Sequence, residues 1–251
     1  MRTSRVIAIV LAGMTLTSCE AVYGPTSPSA DWSTHEFPRF VMYARPGSFC
    51  EANIAALGEA MEMQYAYAVR TLDVEPGGRI SLFLYNSGSE LVPPLPSSRS
   101  GVAFPETNAA HLTCTPPYDG NLRELAAHEA NHVIMQNSLG RPGTAFMNEG
   151  LANALMLPSL GDGGPGAIHA WVRNNPRRVV RVAVFIDDTK WDGMQDSYRS
   201  SGSFLAYLLD RYGAAKLKQI YHTPSDDIVR RIAEVYGKSI DAIEAEWLAA
   251  I

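Results

Sequence analysis

His128-Glu129-Ala130-Asn131-His132, followed by Glu149-Gly150-Leu151-Ala152, is the stretch on which the reading of this 251-residue chain turns. On an α-helix, residues four apart project from one face. His128 and His132 can therefore share one zinc ion. Glu129 lies beside them, where a carboxylate can take a proton from metal-bound water. Zinc lowers the pKa of that water from 15.7 to about 7. The stretch holds the minimum parts for metal-assisted hydrolysis.

The flanking sequence predicts a helix around the motif. Pro116, Pro117 and Asp119-Gly120 make a turn, and Asn121 with Glu124 resembles a capping box. Leu122, Leu125, Ala126, Ala127, Ala130, Val133, Ile134 and Met135 make the helix strongly apolar. Asn137, Ser138 and Gly140 are stop signals. Two histidines and a glutamate buried in such a helix need partners, because unpaired polar groups there are costly. Zinc would supply one; a hydrogen-bonded pair of core histidines is the plainer alternative.

A catalytic zinc usually has three protein ligands and an open position. The continuation His-x-x-Gly-x-x-His is absent, since Gln136 and Leu139 stand where those residues would fall. A glutamate on a following helix is the other route. Thr144 can cap a helix from about Ala145 to Leu157, stopped by Pro158, and Glu149 lies one turn into it. Asn153, four residues on, shares the face of Glu149 and could accept a hydrogen bond from the free ring N–H of a ligating histidine. Glu124, four residues before His128, is the rival ligand. Glu149 is favoured, because a first-turn carboxylate such as Glu124 has a capping role.

The two motifs together, His128 to His132 and then Phe146-Met147-Asn148-Glu149-Gly150-Leu151-Ala152, resemble the gluzincin branch of the zincin metallopeptidases. They are similar in particular to the bacterial peptidase MA-like family. Tyr198 to Leu208 and Tyr212-Gly213 resemble a later helix of that family. The resemblance spans roughly residues 38–250, although only the two zinc motifs are specific. It implies His128, His132 and Glu149 as zinc ligands, Glu129 as general base and Tyr198 as donor to the oxyanion. It also implies that Asn108 to Thr113 is the strand along the cleft, pairing with an extended substrate. Two departures stand out: Asn153, where thermolysin-like gluzincins have aspartate, and the polar Asn131 inside the first motif.

The N-terminus addresses location. Met1 to Arg5 is basic, and Val6 to Leu16 is apolar but too short for a mature membrane span. Leu16-Thr17-Ser18-Cys19 looks like a bacterial lipobox, which would make Cys19 the lipidated first residue; a plain secretion signal is the alternative. Glu20 follows and no aspartate argues for inner-membrane retention, so an outer-membrane anchor facing the periplasm is expected. The chain thus divides into a signal peptide (1–18), a lipidated cysteine with a flexible tether (19–37) and a metallopeptidase domain (38–251).

The formal charge is −5, from 21 basic and 26 acidic residues. Cleavage before Cys19 removes Arg2 and Arg5, leaving 19 basic residues and a charge of −7. Such a chain is a poor candidate for nucleic-acid binding. Arg173, Arg177, Arg178 and Arg181 read as a solvated face. In an oxidising envelope Cys50 and Cys114 could form one disulfide, joining the first helix to the segment before the zinc helix.

Strands are predicted at 40–43, 79–85, 101–104 and 109–114, with a long helix over 50–72. After the zinc helices, helices are predicted from Ser203 to Tyr212, Ala214 to Tyr221, Ser225 to Tyr236 and Ile240 to Ala250. The expected class is α+β and zincin-like, with a small N-terminal sheet before a mainly helical half. The expected protein is a monomeric, zinc-dependent peptidase acting on peptide or protein substrates. A non-catalytic envelope lipoprotein that binds zinc or peptide is the alternative, and hydrolysis of a cell-wall amide is a third.

Overall fold

The computed structural model describes residues 31–251, apart from 76, 91–99, 117–119 and 161–163. The signal segment 1–18, Cys19, most of the tether and the side chain of the capping residue Asn121 lie outside the described residues.

The chain is α+β, with a five-stranded mixed sheet followed by a helical half. Strand β1 (Ser33–Glu36) pairs antiparallel with β2 (Phe40–Ala44), which runs parallel to β3 (Ile80–Tyr85). The crossover between β2 and β3 carries α1 (Phe49–Ala52) and α2 (Ile54–Leu72). Strands β4 (Gly101–Phe104) and β5 (Ala109–Thr113) form an antiparallel hairpin, and β5 pairs parallel with β3. The spatial order is β1-β2-β3-β5-β4. The helix predicted over 50–72 is broken at Asn53, which caps α1 through its backbone N–H.

Alternation sorts the sheet into two faces. Phe40, Met42, Ala44, Ile80, Leu82, Leu84, Ala110 and Leu112 join the main core beneath the helices. Phe83 and Tyr85 point the other way, under Trp32 and Tyr43. Trp32 meets the ring of Tyr85 edge-on at 5.1 Å, and the Arg45 guanidinium sits 4.1 Å above Trp32. These contacts correct the reading of residues 19–37 as tether throughout. Ser33–Glu36 is an edge strand because β2 offers it a backbone ladder and Trp32 covers apolar surface.

His111 is buried on this second face, stacked on Phe83 at 4.6 Å and hydrogen-bonded through Nδ1 to the Tyr85 hydroxyl at 2.9 Å. Burial pushes its pKa down to about 4, so it is neutral at pH 7. It is neither a surface histidine nor a cleft residue.

Cys50 and Cys114 are joined by a disulfide, with Cα atoms 5.8 Å apart and a sequence separation of 64. The bond ties α1 to the segment that enters the next helix. A loop of that length is worth about 4 kcal/mol in the chain-entropy account. Reducing the bond is expected to lower Tm by roughly 5–15 °C. Calorimetry of oxidised and reduced protein checks this, and coincident melting curves would refute it.

The helical half begins with α3 (Gly120–Leu139) and α4 (Ala145–Ala154). Ala126, Ala127, Ala130, Val133, Ile134 and Met135 of α3 are all buried, which gives the helix its place between sheet and helices. Thr144 caps α4 as predicted, accepting from Met147 N at 3.1 Å. Two helices follow in a segment where no helix was predicted: α5 (Pro165–Asn174) and α6 (Val182–Phe185). Helix α7 (Gln195–Tyr212) starts eight residues before the predicted Ser203. The chain ends in α8 (Ala214–Ile220), α9 (Ser225–Tyr236) and α10 (Ile240–Ala250).

The early start of α7 has a physical cause. Tyr198-Arg199-Ser200-Ser201-Gly202-Ser203 looks like a loop by propensity, yet all three serines and Gly202 are buried. Each serine is satisfied. Ser200 Oγ accepts from Val180 N, Ser201 Oγ donates to the Tyr198 carbonyl, and Ser203 Oγ accepts from Trp247 Nε1. Small side chains let α7 lie close against α4. A Cβ at Gly202 would stand 2.8 Å from Asn153 Cβ, and one at Gly150 would stand 2.9 Å from Ser201 Cβ. That close approach brings Tyr198 to the histidines of α3.

Candidate metal centre

His128 and His132 project from α3 toward Glu149 on α4. The Nε2 atoms of the two histidines are 3.1 Å apart. Glu149 Oε2 lies 3.1 Å from His128 Nε2 and 3.4 Å from His132 Nε2. The three atoms form a nearly equilateral triangle. Bonds of about 2.0–2.1 Å to a tetrahedral ion would place ligand atoms about 3.3–3.4 Å apart. These residues therefore fit a metal ion. Among the described residues, His128, His132 and Glu149 are the group that meets metal-ligand spacing. Glu124 lines the same cleft but is not in it.

Neighbouring amides orient the triangle. His128 Nδ1–H donates to Asn153 Oδ1 at 2.9 Å, which leaves the Nε2 lone pair for a metal. Asn153 Nδ2 in turn donates to the Tyr198 carbonyl at 3.2 Å, linking α3, α4 and α7. Asn148 Nδ2 donates to Glu149 Oε1 at 2.9 Å and Gln136 Nε2 donates to Asn148 Oδ1 at 3.2 Å. One carboxylate oxygen is thus held and the other faces the histidines. Burial raises the pKa of Glu149, but hydrogen bonds from His128 and His132 outweigh it and hold the carboxyl well below the usual range. The opposite balance raises His128: burial lowers its pKa, and the Glu149 hydrogen bond and the charges of Glu129 and Glu149 more than offset that.

Asn131, the polar departure inside the motif, has a structural explanation. It is fully buried, donates to the Ala152 carbonyl at 2.8 Å and accepts from Gln64 Nε2 at 2.8 Å. Gln64 also donates to the Leu155 carbonyl and accepts from Leu157 N. A satisfied polar network of this kind ties α2, α3 and the C-terminal end of α4 together. It fixes the distance between the helices that carry the histidines and Glu149. Asn148, Gln136 and Gln64 are partners of the site that the sequence reading missed, because their contacts form only when α2, α3 and α4 pack together.

Glu129 is nearly buried and lines a cleft of about 1110 Å³ together with His128, His132, Glu149, Asn153 and Tyr198. The Tyr198 ring lies 6.1 Å from that of His128 and 5.5 Å from Trp191. The opposite wall is β4, through Gly101, Val102 and Ala103. This corrects the expectation for Asn108 to Thr113. Strand β5 is sandwiched between β3 and β4, so its backbone groups are already paired. Strand β4 ends the sheet on the cleft side, and among the described residues its outer edge pairs with no other strand.

Gly101 gives Glu129 its room. A Cβ there would sit 2.9 Å from both Cγ and Oε1 of Glu129. The methyl of Gly101→Ala would push the glutamate aside and press on the buried Leu112 Cδ2, 3.0 Å away. Displacing a catalytic group by about 1 Å can cost around 100-fold in rate. The expected result is metal content nearly unchanged and, for the peptidase activity proposed below, kcat reduced about 10- to 100-fold. Wild-type kcat in this variant would refute the positioning role.

No family model matches this chain, and no curated protein does. Among solved structures, an aminopeptidase N family protein from Idiomarina loihiensis is a distant neighbour at 14% identity and a TM-score of 0.37, over 86% of this chain. This chain spans 40% of that protein's length.

Proposed function

We propose that this chain is a zinc-dependent peptidase of the bacterial cell envelope, tethered through Cys19. The observation that carries the reading is the triangle of His128 Nε2, His132 Nε2 and Glu149 Oε2, with edges of 3.1–3.4 Å, beside Glu129 in an open cleft. Two imidazoles and a carboxylate with the fourth side open are the donor set of catalytic zinc sites.

When bound, zinc supplies Lewis acidity that activates water and polarises a carbonyl. The residues of the chain do the rest. The free edge of β4 pairs with an extended peptide by backbone hydrogen bonds. Glu129 accepts a proton from the attacking water and delivers it to the leaving amine. Tyr198 donates to the oxyanion; losing such a donor typically costs about 100- to 1,000-fold in rate.

The test is metal analysis combined with cleavage of a peptide library. One zinc per chain is expected, with cleavage abolished by chelation and restored by zinc. A folded protein that takes up no zinc, or a zinc-loaded one that cleaves no peptide, would overturn the reading. Fractionation of cells tests the location: the wild type should follow the outer membrane, and a Cys19→Ser variant should not.

A further inference from the structure

Four carboxylates line the cleft, from Glu124, Glu129, Glu149 and Asp192, yet among the described lining residues only Arg199 is Lys or Arg. Arg199 follows Tyr198 on α7 and is half-buried. Its guanidinium lies 5.1 Å from the centre of the Trp171 ring on α5. Stacking on an indole holds a guanidinium in place and leaves its N–H edges free to donate.

Arg178 makes an instructive contrast. It packs over the same indole at 5.5 Å, but Asp196 neutralises it with hydrogen bonds of 2.7 and 3.0 Å. Arg199 has no such carboxylate among the described residues. Asp192 is occupied, accepting from Met194 N and Ser197 Oγ. A half-buried arginine held on an aromatic ring, with no carboxylate paired to it among the described residues, is suited to an anion brought by a ligand. Met156 and Ile168 add apolar lining to the same cleft.

We propose that Arg199 selects substrates bearing a carboxylate near the scissile bond, from an acidic side chain or from the C-terminus. The inference rests on the peptidase reading and adds a substrate class to it. The Tyr198 ring is 6.1 Å from that of His128, and Arg199 is the next residue. An extended peptide advances about 3.3–3.6 Å per residue, so the carboxylate belongs within the first few residues of the cleaved bond. Arginine meets a carboxylate with two parallel hydrogen bonds, which lysine cannot reproduce.

The experiment uses alanine-rich hexapeptides in which a single Glu, Gln or Lys is walked along the sequence, each with a free or an amidated C-terminus. Wild type is compared with Arg199→Gln and Arg199→Glu. Wild type should favour Glu over Gln at one position, or the free over the amidated C-terminus, by roughly 10- to 100-fold in kcat/KM. Which of the two preferences appears identifies the source of the carboxylate. The ratio should fall near one in Arg199→Gln and turn toward Lys in Arg199→Glu. No preference in wild type, or one that persists in Arg199→Gln, overturns the assignment while leaving the peptidase reading intact. If wild type cleaves nothing, calorimetry with the same peptides decides between the two claims. Carboxylate-dependent binding lost in Arg199→Gln would keep the subsite and reject the peptidase, and no binding would reject both.

Discussion

Glu129→Gln is expected to hold zinc as wild type does and to cleave peptides about 100- to 10,000-fold more slowly. The substitution keeps the shape of the side chain and removes its capacity to accept a proton. Glu129 is not one of the three atoms at metal-ligand spacing, so the ligand triangle is left in place. Its nearly buried position against Gly101 accepts an amide of the same size. Metal analysis and steady-state kinetics on the same preparation check both halves. Near-wild-type kcat would remove Glu129 from the chemistry, and loss of zinc would show that it acts on the ion.

Glu149→Ala is expected to weaken zinc binding by more than the roughly 10- to 100-fold that loss of an orienting partner costs. The variant leaves two imidazole nitrogens 3.1 Å apart and nothing on the third corner. It also strands Asn148, whose amide then has no carboxylate to hold. Stability without metal should change little, because Glu149 faces the cleft rather than the core. Competition with a chromogenic chelator gives the affinity. Wild-type affinity would transfer the third ligand to Glu124, the other cleft carboxylate on the histidine helix, and a Glu124→Ala variant would then lose the ion instead.

The legible parts of the chain were those governed by short-range geometry. The apolar pattern of α3, the Thr144 cap of α4 and the alternation of β2 and β3 are written within a turn or two of helix or a few residues of strand. Helix α7 was only partly legible, because serine propensity is local whereas the partners of Ser200 and Ser203, Val180 and Trp247, come from segments 20 and 44 residues away. Strand β1 was missed for the same reason: its four residues alternate half-buried and exposed, and the ladder to β2 is what orders them.

The sequence by itself determined that His128 and His132 share a face, since a spacing of four is a property of one helix. It also determined that Glu129 accompanies them and that Glu149 sits one turn into a capped helix. Only the tertiary structure decided that Glu149 Oε2, 21 residues from His128 in sequence, closes the triangle while Glu124 stands outside it. The cause is the Gln64–Asn131 network, which spans 67 residues and sets the separation of α3 and α4. The same holds for β4 as the open edge and for Gly101 beneath Glu129. Helical periodicity fixes neighbours along a chain, but the order of strands and the approach of helices follow from packing between segments that the sequence keeps far apart.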